Sequence, residues 1–273
     1  MLRQRQTTLR NVHVLILSKW SEIHRHSRKG WIFRGMKNSK WALETAVERK
    51  GWRRTGRTSN LTEKEAIILR EFQRRYHHYS QHPPQIDDTL EWLSVMQHHG
   101  APTRLLDWSY SIYVAAYFAL EESTGDCAVW ALNTKWLFRE LKKVYEDSRH
   151  KKFLAEGIMD TQEHRSLFRD IFMDNVRKPF VASFTPFRLN ERLTIQKGTS
   201  LVPSDLSKKF EENLSNMPGY DKKTNLKRII IPRSIQSEAM ESLFNMNISR
   251  ATLYPGLDGF SSSLGIYHPM VRW

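Results

Sequence analysis

Apolar and polar positions are patterned most sharply between His98 and Leu120, HHGAPTRLLDWSYSIYVAAYFAL, which predicts loop, strand, tight turn and buried helix in that order. Gly100 and Pro102 punctuate its start, since the residue before a proline is pushed away from helix. Thr103–Trp108 reads as extended, with Leu105 and Leu106 as its apolar pair. Ser109 and Ser111 are placed to cap the next segment, because a short hydroxyl accepts from a free helical N–H. From Ile112 to Leu120 nearly every residue is apolar, and a helix apolar on most faces is buried. A polar turn with Arg104, Asp107, Trp108 and Ser109 thus sits on a core helix, which is how a rigid scaffold presents a site.

The flanking pattern is plainer. Residues 1–10 read as a basic arm, and Val12–Leu17 as a strand or as the start of a helix reaching Arg25. Trp31–Phe33 predicts a short buried strand ended by Arg34-Gly35, and Asn38–Thr45 continues as loop and strand. From these five residues alone, Arg34 and Gly35 read as a structural ion pair with a turn glycine, or as a phosphate-reaching arginine beside an open backbone. Arg49–Asn60 is a basic, glycine-punctuated loop with Trp52, either a solvated surface or a track for a phosphate backbone. Thr62–Tyr79 is a helix, with Thr62 and Glu65 as a capping box and Ile67, Ile68, Phe72, Tyr76 and Tyr79 at helical spacing. After Pro83-Pro84, Asp87 or Asp88 caps a second helix, Thr89–His98. Cys127–Leu132 is a central strand, and Asn133 caps a helix reaching Tyr145. Phe180–Phe187 is strand-like, and Asn190–Gly198 is a strand with polar residues at its mouth, continuing to Val202. Lys227–Ile231 is a strand, after which Ser234 or Ser237 caps a helix to Asn245.

Composition narrows the partners. The 273 residues are 40% hydrophobic, enough for a full core. Lys and Arg number 43 against 29 Asp and Glu, a net charge of +14 that favours a polyanion: nucleic acid, an anionic membrane face, an acidic protein or a phosphate-rich ligand. The single cysteine, Cys127, excludes an internal disulfide and reads as a buried inert thiol. His77, His78 and His82 lack the cysteine or acidic partners of a metal site, and no clustered acidic metal site supports a nuclease. No run of about 18 apolar residues predicts a membrane span, and Val12–Leu17 is too short for a secretion signal, so the cytoplasm is the expected location.

Four stretches together carry a resemblance. FRG at Phe33–Gly35, HHGAPTRLLDWS and AAYFA within His98–Ala119, NERLTIQKG at Asn190–Gly198 and LYPGLDG at Leu253–Gly259 resemble the FRG domain family. The order of elements also resembles the ADP-ribosyltransferase fold, a fold-level analogy. It implies an α+β fold with an ADP-ribosyltransferase-like split sheet over residues 31–273, a helical insertion at about 61–98, and a basic N-terminal segment, 1–30. By position, Arg34 and Gly35 fall at that fold's first motif, Trp108, Ser109 and Ser111 at its second, Tyr113 or Tyr117 on its alanine-rich helix, and Gln196 or Glu191 at its third.

The resemblance implies a mono-ADP-ribosyltransferase that cleaves the nicotinamide–ribose bond of NAD through an oxocarbenium-like transition state. Arg34, Gln196 and Glu191 are then the catalytic candidates, and Arg34, Gly35, Trp108, Ser109, Ser111, Tyr113 and Tyr117 the NAD-binding ones, with no metal. Arg34 suits the pyrophosphate by bidentate contact. Gln196 is neutral and can only orient a hydroxyl, so Glu191 and Asp107 are the available charges, with Asp107 expected to pair with Arg104 instead. The basic surface implies a nucleic-acid acceptor, RNA foremost, drawn in by Arg49–Arg57 and the arm. Such an activity implies a toxin or anti-phage effector with an inhibitory, antitoxin-like partner. The competing expectation is a non-catalytic FRG module that binds a nucleotide or nucleic acid. The transferase needs Arg34, Ser109 and Gln196 or Glu191 to share one cleft, whereas the module would bind through Arg34 and the Asp107 turn.

Overall fold

The apolar runs assemble into a sheet. A computed structural model describes residues 6–55, 60–159, 161–174 and 178–265. Its strands are β1 (His13–Ile16), β2 (Trp31–Met36), β3 (Leu106–Ser109), β4 (Cys127–Asn133), β5 (Ile158–Met159), β6 (Val181–Pro186), β7 (Gly198–Pro203) and β8 (Leu226–Ile231). They form one mixed sheet in the order β1-β8-β4-β2-β3-β7-β6-β5. β1 runs parallel to β8 and the two-residue β5 parallel to β6, and the other neighbours are antiparallel. The helices are α1 (Ala46–Thr55), α2 (Leu61–Tyr76), α3 (Thr89–His98), α4 (Ile112–Leu120), α5 (Thr134–Leu141), α6 (Ser148–Glu156), α7 (Gln162–Arg169), α8 (Glu191–Ile195), α9 (Phe210–Ser215), α10 (Gln236–Asn245), α11 (Arg250–Leu253) and α12 (Leu257–Ser263). The α+β class therefore stands, with α2 and α3 between β2 and β3.

Two cores lie on opposite faces of the sheet, as strand alternation requires. Ile32, Trp130 and Leu132 face a core shared with Trp92 of α3, Trp136 of α5, Phe153 of α6 and Phe168 of α7. Phe33, Val129 and Ala131 face the other, built from α4 and α10. Ser111 caps α4, accepting from Val114 N at 3.4 Å. Gly35 is what lets α4 lie on β2, since a Cβ there would stand 2.0 Å from the Ala115 carbonyl oxygen.

Pairing between β2 and β3 is limited to Phe33 opposite Ser109, whereas β2 pairs with β4 all the way from Trp31 to Met36. β3 ends at that pair, and Arg34–Met36 of β2 and Leu106–Trp108 of β3 are not paired with each other, so the joint between β1-β8-β4-β2 and β3-β7-β6-β5 is a pinch in the one sheet.

Several elements differ from the sequence reading. Arg34-Gly35 lies inside β2 rather than ending it. Arg49–Thr55 is helical, in α1, where Gly51 gives room to Leu61 of α2 rather than making a turn; residues 56–59 lie outside the described residues. Asn38–Thr45 forms no strand beyond a bridge from Trp41 to Gln6. From Gln6 the arm is anchored, because Glu211 accepts from the Thr7 hydroxyl at 2.7 Å and from Thr8 N at 2.6 Å. Asn190–Ile195 is no strand: the Asn190 side chain accepts from Leu193 N at 2.7 Å and caps α8, and β7 starts only at Gly198. Asn60 begins α2 without a side-chain cap, and Glu65 is buried rather than capping. Neither Ser234 nor Ser237 caps α10, whose cap position is Ile235.

Candidate functional site

The pinch opens on a cleft of about 240 Å³. β2 contributes Arg34 and Gly35, β3 contributes Asp107, Trp108 and Ser109, and the end of α8 contributes Gln196. Arg34 bridges the parting, its Nη1 donating to the Asp107 backbone carbonyl. Burial lowers the Arg34 guanidinium to about 10 against the pull of Asp107, which leaves it a cation at neutral pH. Its Nε is buried and has no hydrogen-bond partner, and neither has the Trp108 Nε1. Both residues line the cleft, and both atoms are buried donors without an acceptor.

Asp107 obeys strand alternation: Leu106 and Trp108 are buried, while the carboxylate between them stays open to the cleft. It accepts from Gln97 Nε2 and, at 3.5 Å, from the Ser200 hydroxyl. The surrounding protein desolvates it and raises its pKa, opposed by Arg34, Arg192 and these two hydrogen bonds. Arg104 is not its partner. Arg104 is fully buried against Glu65 of α2, which also accepts from Arg104 N at 2.6 Å, and its Nη1 donates to the Phe172 carbonyl.

Ser109 ties the cleft floor together, donating to the Gln196 carbonyl at 2.7 Å and accepting from Ser111 N at 2.9 Å. The Gln196 side chain donates to the Leu253 carbonyl at 2.9 Å, which docks the Leu253–Gly259 segment on the cleft. Tyr254 of that segment lines the cleft and carries the Arg192 and Arg250 guanidinium groups at 4.3 and 4.9 Å from its ring centre. Glu121 lines it too, paired with Arg250 and accepting from the Tyr117 hydroxyl at 3.2 Å.

Other candidates lie elsewhere. Glu191 lines a neighbouring hollow with His98, Arg250 and Asp258. Tyr117 is 2% exposed, which leaves its ring no face for nicotinamide. Tyr113 packs edge-on against Trp20 at 6.5 Å, and Ser111 serves as the α4 cap. Gly35, by contrast, lines the cleft and also meets α4 through its missing Cβ. Sequence reasoning missed Arg192, Tyr254, Glu121, Lys37 and Arg49 as cleft-lining residues, although Arg192 and Tyr254 stand inside the NERLTIQKG and LYPGLDG stretches. Among the described residues no group of three His, Cys, Asp or Glu could hold a metal ion, and no helix is long and apolar enough to cross a membrane. Cys127 is buried.

The architecture is that of an α+β protein with a cation-lined cleft at the centre of a mixed sheet. The chain carries an FRG domain, whose family model matches residues 29–127. No curated protein and no solved structure matches the chain. The matched stretch holds Arg34 and Asp107–Ser109, while Arg192, Gln196 and Tyr254 complete the cleft from beyond it.

Proposed function

We propose that the cleft binds NAD and that the protein transfers ADP-ribose to nucleic acid, RNA foremost. The observation that carries this reading is that Arg34, Trp108–Ser109 and Gln196, from three distant segments, line one cleft where the half-sheets part. Their positions match those the ADP-ribosyltransferase resemblance assigns to its three motifs. The unpartnered Arg34 Nε and Trp108 Nε1 favour a ligand rich in acceptors, such as a pyrophosphate with its riboses.

In this reading Arg34 holds phosphate oxygens and Ser109 with Gln196 keeps the floor in shape. Asp107 replaces Glu191 as the carboxylate beside the sugar, since it is the one open to the cleft. The nicotinamide–ribose bond breaks with its electron pair leaving on nicotinamide. The acceptor bonds to the freed ribose carbon and gives its proton to solvent. An enzyme that so modifies RNA would harm its own host, which fits a cytoplasmic toxin or anti-phage effector restrained by an inhibitory partner.

One observation favours the second reading, a nucleotide-binding module without transfer: the third-motif position offers no carboxylate in the cleft, since Gln196 is neutral and Glu191 faces another hollow. Incubation with NAD labelled in its adenylate, with and without RNA, separates them. Label on RNA that vanishes in Arg34→Ala and Asp107→Asn is the outcome expected of the transferase. Saturable NAD binding without consumption assigns the module. A folded protein that neither binds nor consumes NAD refutes both.

A further inference from the structure

Away from the cleft, the opposite end of β2 carries a cluster of cations around one aromatic ring. His13 of β1 stands directly beside Lys227 of β8 in the parallel register, so both side chains project to the same face. The Lys227 ammonium lies 4.7 Å from the centre of the half-buried Trp31 ring at the start of β2. The turn before β2 reverses at Gly30, whose φ is +82°, and brings Arg28 to the same place. The aliphatic part of the exposed Lys135 passes beside Gly30, 3.5 Å from where a Cβ would stand, and Lys223 is exposed just before β8.

These groups act on one another as like charges. Burial first, and Lys223 and Lys227 after it, push His13 toward its neutral form; burial and then Lys227 and Arg28 do the same to His26, and burial and then Arg28 to Lys227. Among the described residues none of His13, His26, Arg28, Lys135, Lys223 or Lys227 has a carboxylate within ion-pair distance. Glu22, an acid that acts on His26, is held by Ser18 through its backbone N–H at 2.9 Å and its hydroxyl at 3.0 Å. Uncompensated cations kept side by side call for an external polyanion. A tryptophan set among them favours single-stranded nucleic acid, whose bases offer a face for stacking, over a lipid surface.

We infer that Trp31, Arg28, Lys135, Lys223 and Lys227 form a docking surface for single-stranded RNA, separate from the dinucleotide cleft. It deepens the nucleic-acid part of the proposed function and does not depend on ADP-ribose transfer. A strand seated here engages β2 at its first residue, while Arg34 and the cleft lie three residues further along the same strand.

The test is a titration of a short, unstructured, fluorescently labelled RNA against the full chain without NAD, at several salt concentrations. The variant is Arg28→Glu with Lys223→Glu and Lys227→Glu, with folding checked by circular dichroism. The control variant reverses Arg70, Arg74 and Arg75 on the exposed side of α2. Affinity is expected to fall at least about tenfold in the first variant only, and the salt slope to shrink by about 2, roughly 0.7 for each phosphate no longer neutralised. Trp31→Phe should retain more affinity than Trp31→Ala. Equal losses in the two triple variants, unchanged affinity in the first, or binding to phosphatidylserine–phosphatidylcholine vesicles but not to RNA would each overturn the inference. Because NAD is left out, an inert cleft leaves a positive result standing, and an active cleft cannot rescue a negative one.

Discussion

Replacing Arg104 by methionine keeps most of its volume and removes the cation from a buried pair. Arg104 and Glu65 are both 0% exposed. Among the described residues, the change leaves the Glu65 carboxylate with only the backbone N–H of residue 104, at 2.6 Å, and leaves the Phe172 carbonyl without its Arg104 donor. Breaking a buried pair by removing one partner costs about 3–5 kcal/mol. For a chain of this size that is a fall in Tm of roughly 6–20 °C. Adding Glu65→Gln removes the stranded charge while its amide oxygen can still accept from residue 104. The double variant should then recover about 2 kcal/mol of the loss and retain about 1–3 kcal/mol for the orphaned Phe172 carbonyl. Urea denaturation of the wild type, both single variants and the double variant measures the coupling. The pair joins α2 to the segment that leads into β3, so ligand binding at the cleft should fail together with the fold and not before it. A double variant as unstable as the sum of the two single ones, or an Arg104→Met that costs under about 1 kcal/mol, would refute the reasoning.

Three further outcomes concern the cleft and its supports. Because desolvation raises the Asp107 pKa, the folded chain holds that proton more tightly than the unfolded one, so stability is lost as pH rises from the unfolded value through the folded one. Asp107→Asn should therefore melt no lower than wild type at neutral pH while abolishing the NAD turnover of the proposed function, with any gain in Tm fading in acid; a lower Tm at neutral pH contradicts this. Gly35→Ala would set a methyl 2.0 Å from the Ala115 carbonyl oxygen and force α4 off β2, with an expected loss of about 1–3 kcal/mol in urea denaturation; an unchanged midpoint contradicts it. Gln196→Ala releases the Leu253 carbonyl and should speed limited proteolysis near Leu253–Gly259, whereas Glu191→Gln, outside the cleft, should alter neither proteolysis nor the proposed binding of NAD.

How far the sequence discloses this molecule depends on whether the cause of each element is local. The α4 helix was legible because a capping serine and an unbroken apolar run both lie within ten residues of one another, and they agree. α3 was legible for the same reason, with Asp88 accepting from Glu91 N at 3.0 Å. α8 was not: it is short, carries no buried residue, and rests on one asparagine cap just ahead of a strand. Glu65 stands three residues after Thr62, the spacing of a capping box, but its actual partner lies 39 residues away, a separation that no local pattern encodes. The glycine of the FRG stretch reads in sequence as a turn residue or as open backbone for a ligand, and only the third dimension sets Ala115 against it.

Asp107 shows where a stricter reading of the pattern leads further. In an extended segment residues three apart face opposite sides, so Arg104 and Asp107 could not have paired while Thr103–Trp108 stayed extended. The alternation that buries Leu106 and Trp108 turns Asp107 the other way, into the cleft. The cation next to it in sequence is already held by Glu65, and the one next to it in space, Arg34, bonds to its backbone carbonyl. Its carboxylate is therefore held by neutral donors, Gln97 and Ser200, rather than closed off in an ion pair. That arrangement costs the fold desolvation without the return of a salt bridge, a pattern found where a charge is kept for a ligand. The same argument separates Asp107 from Glu121, which shares the cleft wall but is already closed by Arg250 and the Tyr117 hydroxyl, and so it is Asp107 whose neutral variant should uncouple stability from function.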